Sequence, residues 1–383
     1  MTKTAFTTPP PSSSFSPTEY DDDDDNDNEP AIIRAWVYTT GGYPSCVRQT
    51  LLPAPDIQPT IGGGGGIIGP TTLLIRVRAA ALNPVDIQLM NLPVVWSLPF
   101  LSGAEKGIGA DFAGTVVAAG REAAAGGFGA GDGVFGLHFA PFGGAAGTLK
   151  EVIAVDMRSA VVLKKPRDWT WAQAAALPLV WLTARTCVGR CEGFVGGGGG
   201  KGTGTVAVLG ASSATGMYAV VLAKRRGWRV VGTCSARNEE FVKRMGVDVV
   251  IDYTKGGVRE KVAAEGPDAI IDCVGGTECL YLARRYVTIV GDKTSRSAIG
   301  GSLTYLWNPR MVLRALLGKL GLRSELYECV NLETRKDYLE EALHLDKEEI
   351  VVDSTFSFEQ VREALERMNS GRCRGKVVVS IGP

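Results

Sequence analysis

Apolar residues along this chain follow two different patterns, and the change between them falls near Trp171. Before that point the chain has short β-type runs separated by turn residues, for example residues 31–38, 72–79, 114–119 and 149–155. Such runs with frequent turns predict a mainly antiparallel, barrel-like domain over the first part of the chain.

After Trp171, strand-like and helical patterns alternate. Residues 172–190 have a helical pattern, and alternating strands and helices then follow at 206–209, 217–226, 229–233, 238–245, 249–252, 269–273 and 286–290. This alternation predicts a parallel, doubly wound sheet. Beyond Asn331 the pattern predicts helices at 337–345 and 358–369 and a last strand at 376–381.

The most informative stretch is a βαβ unit within residues 205–253. Its first strand ends in a turn of small residues: Gly210, Ala211, Ser212, Ser213, Ala214, Thr215 and Gly216. A turn of this kind places free N–H groups and the positive end of a helix dipole where a pyrophosphate can bind. We therefore expect a bound dinucleotide, although a βαβ crossover without a ligand has the same pattern.

The end of the second strand bears on which dinucleotide is bound. An NAD site usually has Asp or Glu about 20 residues after the turn, to bind the ribose 2′-hydroxyl. Here no carboxylate occurs before Glu239, whereas Ser235 and Arg237 supply a hydroxyl and a guanidinium. These groups suit a 2′-phosphate and favour NADP(H) over NAD(H), unless Arg237 only caps or solvates a loop.

Composition places the chain among globular proteins with room for two domains. It has 383 residues, 45% of them hydrophobic, and a formal net charge of zero. Residues 1–30 contain eight acids and one Lys, so the rest has 41 − 1 = 40 basic and 41 − 8 = 33 acidic residues. No basic cluster with interleaved aromatics occurs, so we do not expect nucleic-acid binding.

Compartment and order can also be read from composition. Residues 1–30 are rich in Thr, Pro, Ser and Asp, which predicts a disordered acidic tail without the features of a signal or transit peptide. No long apolar run predicts a membrane span. The eight cysteines are scattered, which favours reduced thiols and a cytoplasmic protein over a disulfide framework.

Several motifs together resemble the medium-chain dehydrogenase/reductase superfamily, in its zinc-free quinone oxidoreductase branch. The resemblance spans roughly residues 31–383, and YVTIVGDKTSR (286–296) is similar to fungal relatives of reticulon-4-interacting protein, often labelled zinc-binding alcohol dehydrogenase-like. The motifs that carry it are LNPVDIQLM (82–90), GADFAGTVVAAG (109–120), GDGVFG (131–136), AAALPLVWLTA (174–184), the turn at 210–216, VIDY (250–253), DCVGG (272–276) and GRCRGKVVV (371–379).

This resemblance implies an α/β protein in which a GroES-like β-barrel catalytic domain carries an inserted Rossmann domain. The implied domains are a disordered tail at 1–30, a catalytic domain at 31–171 and 332–383, and an NADP-binding Rossmann domain at 172–331. The cofactor would lie in the cleft between the two folded domains.

The same resemblance can be tested for zinc. A catalytic zinc needs about three Cys, His or acidic ligands. In the zinc branch a Cys precedes the position that matches Asp86, and a His-Glu pair occupies the region of 109–111. Here those places read Leu82-Asn83-Pro84-Val85 and Gly109-Ala110-Asp111, so we expect no metal site.

The resemblance also implies roles for individual residues in hydride transfer from NADPH to a quinone or an activated alkene. Asn83 and Asp86 would lie at the active-site end of the barrel, and Thr183 would contact the nicotinamide amide. The implied cofactor contacts are Cys273, Val274 and Gly275 with Ile289, Val290 and Gly291 at the nicotinamide ribose, Ser235, Arg237 and Tyr253 at the 2′-phosphate, and Lys376 beside the cofactor.

Each of these residues also has an ordinary structural explanation. Asn83 could shape a turn, Asp86 could cap a helix, and Thr183 could bond to backbone within its helix. Tyr253 could pack at the end of a strand and Lys376 could be solvated.

The chain departs from the family where a proton donor is expected. Many relatives carry a Tyr a few residues after the NPxD segment, but residues 88–93 contain none. Asn83, His138, Tyr305 or water remain as alternatives. The apolar residues Val94, Val95, Trp96 and Phe100 favour a hydrophobic small-molecule acceptor.

Two further expectations concern assembly and activity. A homodimer is the candidate assembly. The absent Tyr and the acidic tail also leave open a second hypothesis, an NADPH-binding redox sensor or scaffold with little turnover.

Overall fold

The computed structural model describes residues 31–39, 42–55, 68–92, 105–139, 147–196, 204–295 and 299–382. The predicted tail at 1–30 and the predicted apolar rim at 94–96 and 100 lie outside these described residues. Among the described helices, none is long and apolar enough to cross a membrane.

The first part of the chain is β-rich, as the sequence predicts. Its strands are β1 (Ile32–Tyr38), β2 (Val47–Pro53), β3 (Thr72–Ala81), β4 (Lys106–Gly107), β5 (Asp111–Ala119), β6 (Gly133–Leu137), β7 (Val152–Asp156) and β8 (Val161–Lys164). Two short helices, α1 (Pro84–Met90) and α2 (Arg121–Ala125), lie between them, and α3 (Trp171–Ala175) follows.

The second part alternates strands and helices. It runs α4 (Pro178–Gly189), β9 (Thr205–Leu209), α5 (Ala214–Arg225), β10 (Arg229–Cys234), α6 (Glu239–Arg244), β11 (Val249–Asp252), α7 (Val258–Ala264), β12 (Ala269–Asp272), β13 (Arg285–Thr288), α8 (Pro309–Lys319) and β14 (Leu326–Cys329). The chain then returns to the barrel through α9 (Lys336–Glu340), β15 (Val352–Ser357), α10 (Val361–Asn369) and β16 (Lys376–Ser380).

The barrel is formed by strands from both ends of the chain. Its main sheet has the order β15-β16-β3-β5-β6-β8, with β7 paired to β3, and a three-stranded sheet has the order β2-β1-β4. Only β15 and β16 are parallel neighbours in the main sheet, and the others are antiparallel. This confirms the predicted antiparallel barrel and the contribution of the last residues to it.

The inserted sheet is parallel throughout and has the order β11-β10-β9-β12-β13-β14. Numbered from β9, this is the 3-2-1-4-5-6 order of a Rossmann fold, whose ligand crevice lies at the carboxyl ends of the strands where the order reverses. The doubly wound prediction is therefore confirmed. The sequence pattern overlooked the sixth strand, β14, and helices α7 and α8.

The predicted helix at 172–190 is wrong in one respect, because the structure has two helices there. Helix α3 ends after Ala175, and α4 begins at Pro178, the first position of that helix. A proline at the first helical turn lacks only an N–H that would be unpaired anyway, so it starts α4 cleanly while interrupting the helix before it.

One apolar core joins the two sheets. It extends from Leu163 and Trp169 of the barrel side, through Trp181 of α4, to Val208 and Val230 of the Rossmann sheet. Two further cores fill the barrel and the far face of the Rossmann sheet. Side chains from both sheets are thus held in fixed positions relative to one another. The domain boundaries themselves stay a prediction.

Candidate active site and cofactor site

A buried cluster of three polar side chains lies where three parts of the barrel meet. Asn83 precedes α1, Asp111 begins β5 and Lys376 begins β16. The Lys376 ammonium donates to the Asp111 carboxylate at 3.0 Å and also to the Asn83 side-chain oxygen. The Asn83 amide donates to the same Asp111 oxygen at 2.9 Å.

Water has almost no access to this cluster, since Asp111 is 0% and Lys376 3% exposed. Buried ions persist only when they are paired and their remaining bonds are satisfied. The second Asp111 oxygen meets this condition by accepting from the Leu179 N–H at 2.7 Å. Asp111 therefore ties the first turn of α4 to the barrel, at the junction of the two sheets.

Asp86 has the capping arrangement that was the alternative to a catalytic role. One of its carboxylate oxygens accepts from the Asn83 N–H at 2.7 Å and the other from the Gly109 N–H at 3.2 Å. Burial raises the pKa of Asp86 to about 6, against the opposing effect of these backbone bonds. Asp86 thus fixes the backbone around Asn83, while Asn83 itself contacts the charged pair.

Thr183 is also bonded within its own helix. Its hydroxyl donates to the Leu179 carbonyl at 2.7 Å, one turn back along α4. The side chain is buried near the first turn of that helix, two residues after Trp181 and four after the Asp111 contact. The hydroxyl oxygen still has lone pairs that can accept a hydrogen bond.

The turn after β9 has the shape that a pyrophosphate site requires. Gly210 has φ +79°, and its N–H donates to the Thr233 hydroxyl at 2.8 Å. A Cβ on Gly216 would lie 2.2 Å from the Gly210 carbonyl oxygen, so only glycine permits this close approach. Helix α5 begins at Ala214 with Ser213 as its cap, and Ala211, Ser212 and Thr215 complete the turn. The residues present therefore fit a dinucleotide phosphate.

The loop after β10 contains an unusual hydroxyl. Ser235 is 8% exposed, and its oxygen has no hydrogen-bond partner among the described residues. Arg237 is exposed two residues later in the chain. Tyr253 is exposed directly after the adjacent strand β11. A buried hydroxyl without a partner is uncommon, and an incoming acceptor such as phosphate would satisfy it.

Arg374, to which the sequence assigned no role, reaches the same loop from the segment before β16. Its Nε donates to the Asn238 side-chain oxygen at 2.7 Å, and its Nη2 donates to the Arg237 carbonyl at 2.5 Å. The Asn238 amide in turn donates to the Ser212 hydroxyl at 3.1 Å, which links this loop to the turn after β9.

Two loops at the ends of β12 and β13 form the other half of the candidate cofactor site. Asp272 accepts from the N–H groups of Val274 and Gly275 at 2.9 and 2.8 Å. Thr288 donates to Asp272 at 2.9 Å and accepts from Val290 and Gly291 at 3.1 and 3.0 Å. This buried pair therefore shapes both loops, including Cys273, whose pKa is raised by burial.

The donor groups described around Asn83 and Asp111 do not have the arrangement of a catalytic zinc site. Within the described ranges, no three or more His, Cys, Asp or Glu residues are grouped so that they could hold a metal ion. The Asp111 carboxylate already faces a cation, the Lys376 ammonium, at 3.0 Å. A zinc ion at this place would have to displace that charge.

The remaining donor candidates occupy different places. The Tyr305 hydroxyl accepts from the Cys329 N–H at 2.8 Å, beside the last strand of the Rossmann sheet. His138 follows β6, and burial, with a smaller effect of Lys150, lowers its pKa. In the part of the chain that the structure describes, neither side chain hydrogen-bonds to Asn83, Asp111 or Lys376.

Comparison with known proteins is consistent with this architecture. Residues 69–167 match a family model described as alcohol dehydrogenase GroES-like domain, and residues 245–379 match one described as zinc-binding dehydrogenase. The chain is similar to the NAD(P)H oxidoreductase RTN4IP1, mitochondrial, of Mus musculus, with 30% identity and 82% of each chain covered.

Two further similarities concern reductases. The trans-enoyl reductase pgmF of Aspergillus terreus is 29% identical, with 92% of this chain and 97% of that protein covered. The structure of the quinone oxidoreductase from Coxiella burnetii superposes with a TM-score of 0.71 at 23% identity, covering 92% of this chain and 100% of that one.

Proposed function

Since the chain belongs to the medium-chain dehydrogenase/reductase superfamily, in its quinone oxidoreductase-like branch, we propose that this oxidoreductase is an NADPH-dependent, zinc-independent reductase of quinones or activated alkenes. The observation that carries the proposal is the glycine turn after β9 beside the unpartnered hydroxyl of Ser235. The relatives named as an enoyl reductase and an NAD(P)H oxidoreductase support the reaction class.

The bound nicotinamide would supply a hydride, and the chain would bind and orient it. We assign the pyrophosphate to residues 210–216, the nicotinamide ribose to the loops 273–275 and 289–291, and the 2′-phosphate to Ser235, Arg237 and Tyr253. The loops are supported by Asp272 and Thr288, which hold their N–H groups in place before any ligand binds. Such preorganisation reduces the ordering cost of binding.

On the acceptor side, the hydrogen bonds within the buried cluster determine which N–H groups are still available to the cofactor. Lys376 has three N–H hydrogens, and two are used by Asn83 and Asp111. The third can be directed to the cofactor, as the family resemblance implies. Asn83 donates to Asp111 and accepts from Lys376, so its role is to position the ammonium.

The charge of the same cluster supports the proposed zinc independence. A metal needs several lone pairs directed at one point, whereas Asp111 is committed to an ammonium and to the Asn83 amide. Metal analysis of the purified protein tests this directly. We expect far less than one zinc per chain, and a stoichiometric zinc would overturn the assignment.

The activity test follows the absorbance of NADPH with purified protein and a panel of quinones and 2-alkenals. We expect oxidation of NADPH with at least one class of acceptor. Firm NADPH binding without oxidation by any acceptor would instead favour the redox-sensor or scaffold hypothesis. Arg237→Ala should weaken the binding of NADPH more than the binding of NADH, by about 1–3 kcal/mol. Arg244→Ala, an exposed arginine on α6, serves as the matched control.

A homodimer is part of the proposal, and one surface supports it. Helix α8 and its flanks expose large apolar side chains to solvent, at Leu306, Trp307, Leu313, Leu316, Leu320 and Leu322. Large apolar side chains exposed together on one surface often mark an interaction surface. Light scattering should give twice the 40.6 kDa chain mass for the protein and the single mass for Leu313→Asp. Leu51→Asp, at a position on β2 that is 64% exposed against 55% for Leu313, should remain dimeric.

We also propose a cytoplasmic location. All eight cysteines are free thiols, which suits a reducing compartment. The mouse relative is named as mitochondrial, so fractionation of cells that express the full chain is the deciding measurement. Recovery of the protein with mitochondria would contradict the proposal.

A further inference from the structure

We propose that Arg374 recognises the 2′-phosphate of NADPH and, by doing so, makes that phosphate a bridge between the barrel and the Rossmann sheet. The proposal rests on the NADPH assignment above and adds a residue that no sequence motif of the phosphate loop contains. Arg374 lies just before β16, which belongs to the barrel, whereas the loop it contacts follows β10.

The guanidinium is held over the loop by two hydrogen bonds. Nε donates to the Asn238 side-chain oxygen at 2.7 Å and Nη2 to the Arg237 carbonyl at 2.5 Å. Its Nη1 atom makes no hydrogen bond to any described residue. An arginine that is fixed at two nitrogens and open at the third is preorganised to bind an anion.

A second, independent observation indicates that an acceptor belongs in this loop. The Ser235 hydroxyl is buried and has no partner among the described residues, at the first position of the same turn. The Asn238 N–H donates to the Ser235 carbonyl at 2.8 Å, so Ser235 and the Asn238 contact of Arg374 belong to one short turn. A phosphate oxygen there would satisfy the orphan hydroxyl.

Local charge permits a dianion at this place. Arg237 and Arg374 bring two guanidinium groups to the loop. At the adjacent strand end, one Asp252 carboxylate oxygen accepts from Thr254. The other Asp252 oxygen has no hydrogen-bond partner among the described residues and lies 3.9 Å from the Lys255 ammonium. The Arg374 N–H donates to Asp353, which is itself paired with Arg367 at 2.8 Å. Asp353 is thus engaged by an arginine, and the Lys255 ammonium partly offsets the charge of Asp252.

In this arrangement NADPH and NADH would make different contacts with the barrel. NADPH would contact residues of both sheets through one phosphate, whereas NADH has no group that reaches Arg374. Discrimination against NADH would then come from the barrel side as well as from the Rossmann loop. An arginine that acted only as a strut between loops would affect both cofactors alike.

The experiment measures calorimetric affinities of four ligands, NADPH, NADH, 2′,5′-ADP and 5′-AMP, for the full chain and for Arg374→Gln. We expect the two ligands with a 2′-phosphate to bind about tenfold or more weakly to the variant, as for loss of a charge-assisted contact. NADH and 5′-AMP should change less than about twofold. Arg372→Gln, an exposed arginine two residues earlier, should leave all four affinities unchanged.

Two results would overturn the inference. Equal weakening of all four ligands would make Arg374 a strut, and unchanged affinities would remove it from the site. If the unaltered chain shows no preference for the 2′-phosphate, the NADPH assignment itself fails, and that outcome is visible before any variant is made. Should Arg374→Gln fold poorly, Ser235→Ala tests the same pocket, with selective weakening of NADPH and 2′,5′-ADP as the expected result.

Discussion

Removing the buried cation Lys376 should destabilise the protein strongly, and removing its anionic partner as well should restore much of the loss. Lys376→Met keeps most of the aliphatic stem but leaves the Asp111 carboxylate, 0% exposed, without its ammonium. Breaking a buried ion pair on one side costs about 3–5 kcal/mol. Asp111→Asn alone leaves the ammonium unpaired and should cost a similar amount.

The double variant Asp111→Asn/Lys376→Met has neither buried charge. The amide oxygen at position 111 can still accept from the Leu179 N–H, so its loss should be far below the sum of the single losses. We expect a coupling energy of roughly 2–4 kcal/mol in the free energy of unfolding, measured by urea titration with circular dichroism. Additive losses, or single losses under about 1 kcal/mol, would refute the account of the cluster.

Three further predictions concern the cofactor loops and the edge of the Rossmann sheet. Burial raises the pKa of Glu325 from 4.5 to about 7, so the folded state binds more protons between these values and stability should fall as pH rises through that window. Glu325→Gln should therefore be more stable than the unaltered chain at pH 8, by about 1–3 kcal/mol, and equal to it near pH 4, in urea titrations at both pH values. Gly216→Ala would place a methyl 2.2 Å from the Gly210 carbonyl and should weaken NADPH binding at least tenfold, as measured by fluorescence titration. Gly193→Ala, where a Cβ meets open space, should bind normally, and equal affinities of the two variants would contradict the cradle. Thr288→Val removes the hydroxyl that joins Asp272 to Val290 and Gly291 and should cost about 1–3 kcal/mol of stability and raise the Kd for NADPH, whereas Thr288→Ser should restore both. Unchanged NADPH affinity in Thr288→Val would show that these loops do not contact the cofactor.

The fold could be predicted from the sequence because each sheet has its own apolar period. Short apolar β-type runs with frequent turns predicted the barrel, and the alternation of strand and helix patterns predicted the parallel sheet. The break between α3 and α4 was overlooked because the helical pattern continues through Leu177 and Pro178, and Pro178 itself is compatible with a first helical turn.

The phosphate turn could be predicted from the sequence because the residues that form it are close together in the chain. Gly210 and Gly216 are six positions apart, and the close approach between them depends on backbone geometry that small residues encode. The hydroxyl and guanidinium at Ser235 and Arg237 are likewise adjacent in the chain.

Asp111 and Arg374 were overlooked because their partners are distant in sequence. Asp111 pairs with Lys376, 265 positions away, and Arg374 contacts a loop 136 positions away. Asp111 lies inside the GADFAGTVVAAG motif, at a place where the zinc branch of the superfamily has a His-Glu pair, and the motif alone does not indicate its partner. The signal in the sequence was that Asp111 and Lys376, of opposite charge, each stand directly before apolar residues in their motifs. A buried charge requires a partner, so the two could have been paired.

For Asp86, helix capping, the structural alternative to a catalytic role, accounts for the observed contacts. Its carboxylate is bound by two backbone N–H groups, so its influence on chemistry would pass through the position of Asn83. Sequence spacing alone does not separate the two roles, because a carboxylate at the third position of a helix suits capping whether or not it also takes part in catalysis.

We infer that residues 209–235 form a cradle for a dinucleotide carrying an extra ribose phosphate. Calorimetric titration of the purified chain with NADPH and with NADH tests this inference. We predict saturable heat with NADPH and an affinity at least tenfold lower for NADH. No heat with either coenzyme would contradict the oxidoreductase account, and equal affinities would contradict the assignment of Ser235 and Arg237 to a 2′-phosphate.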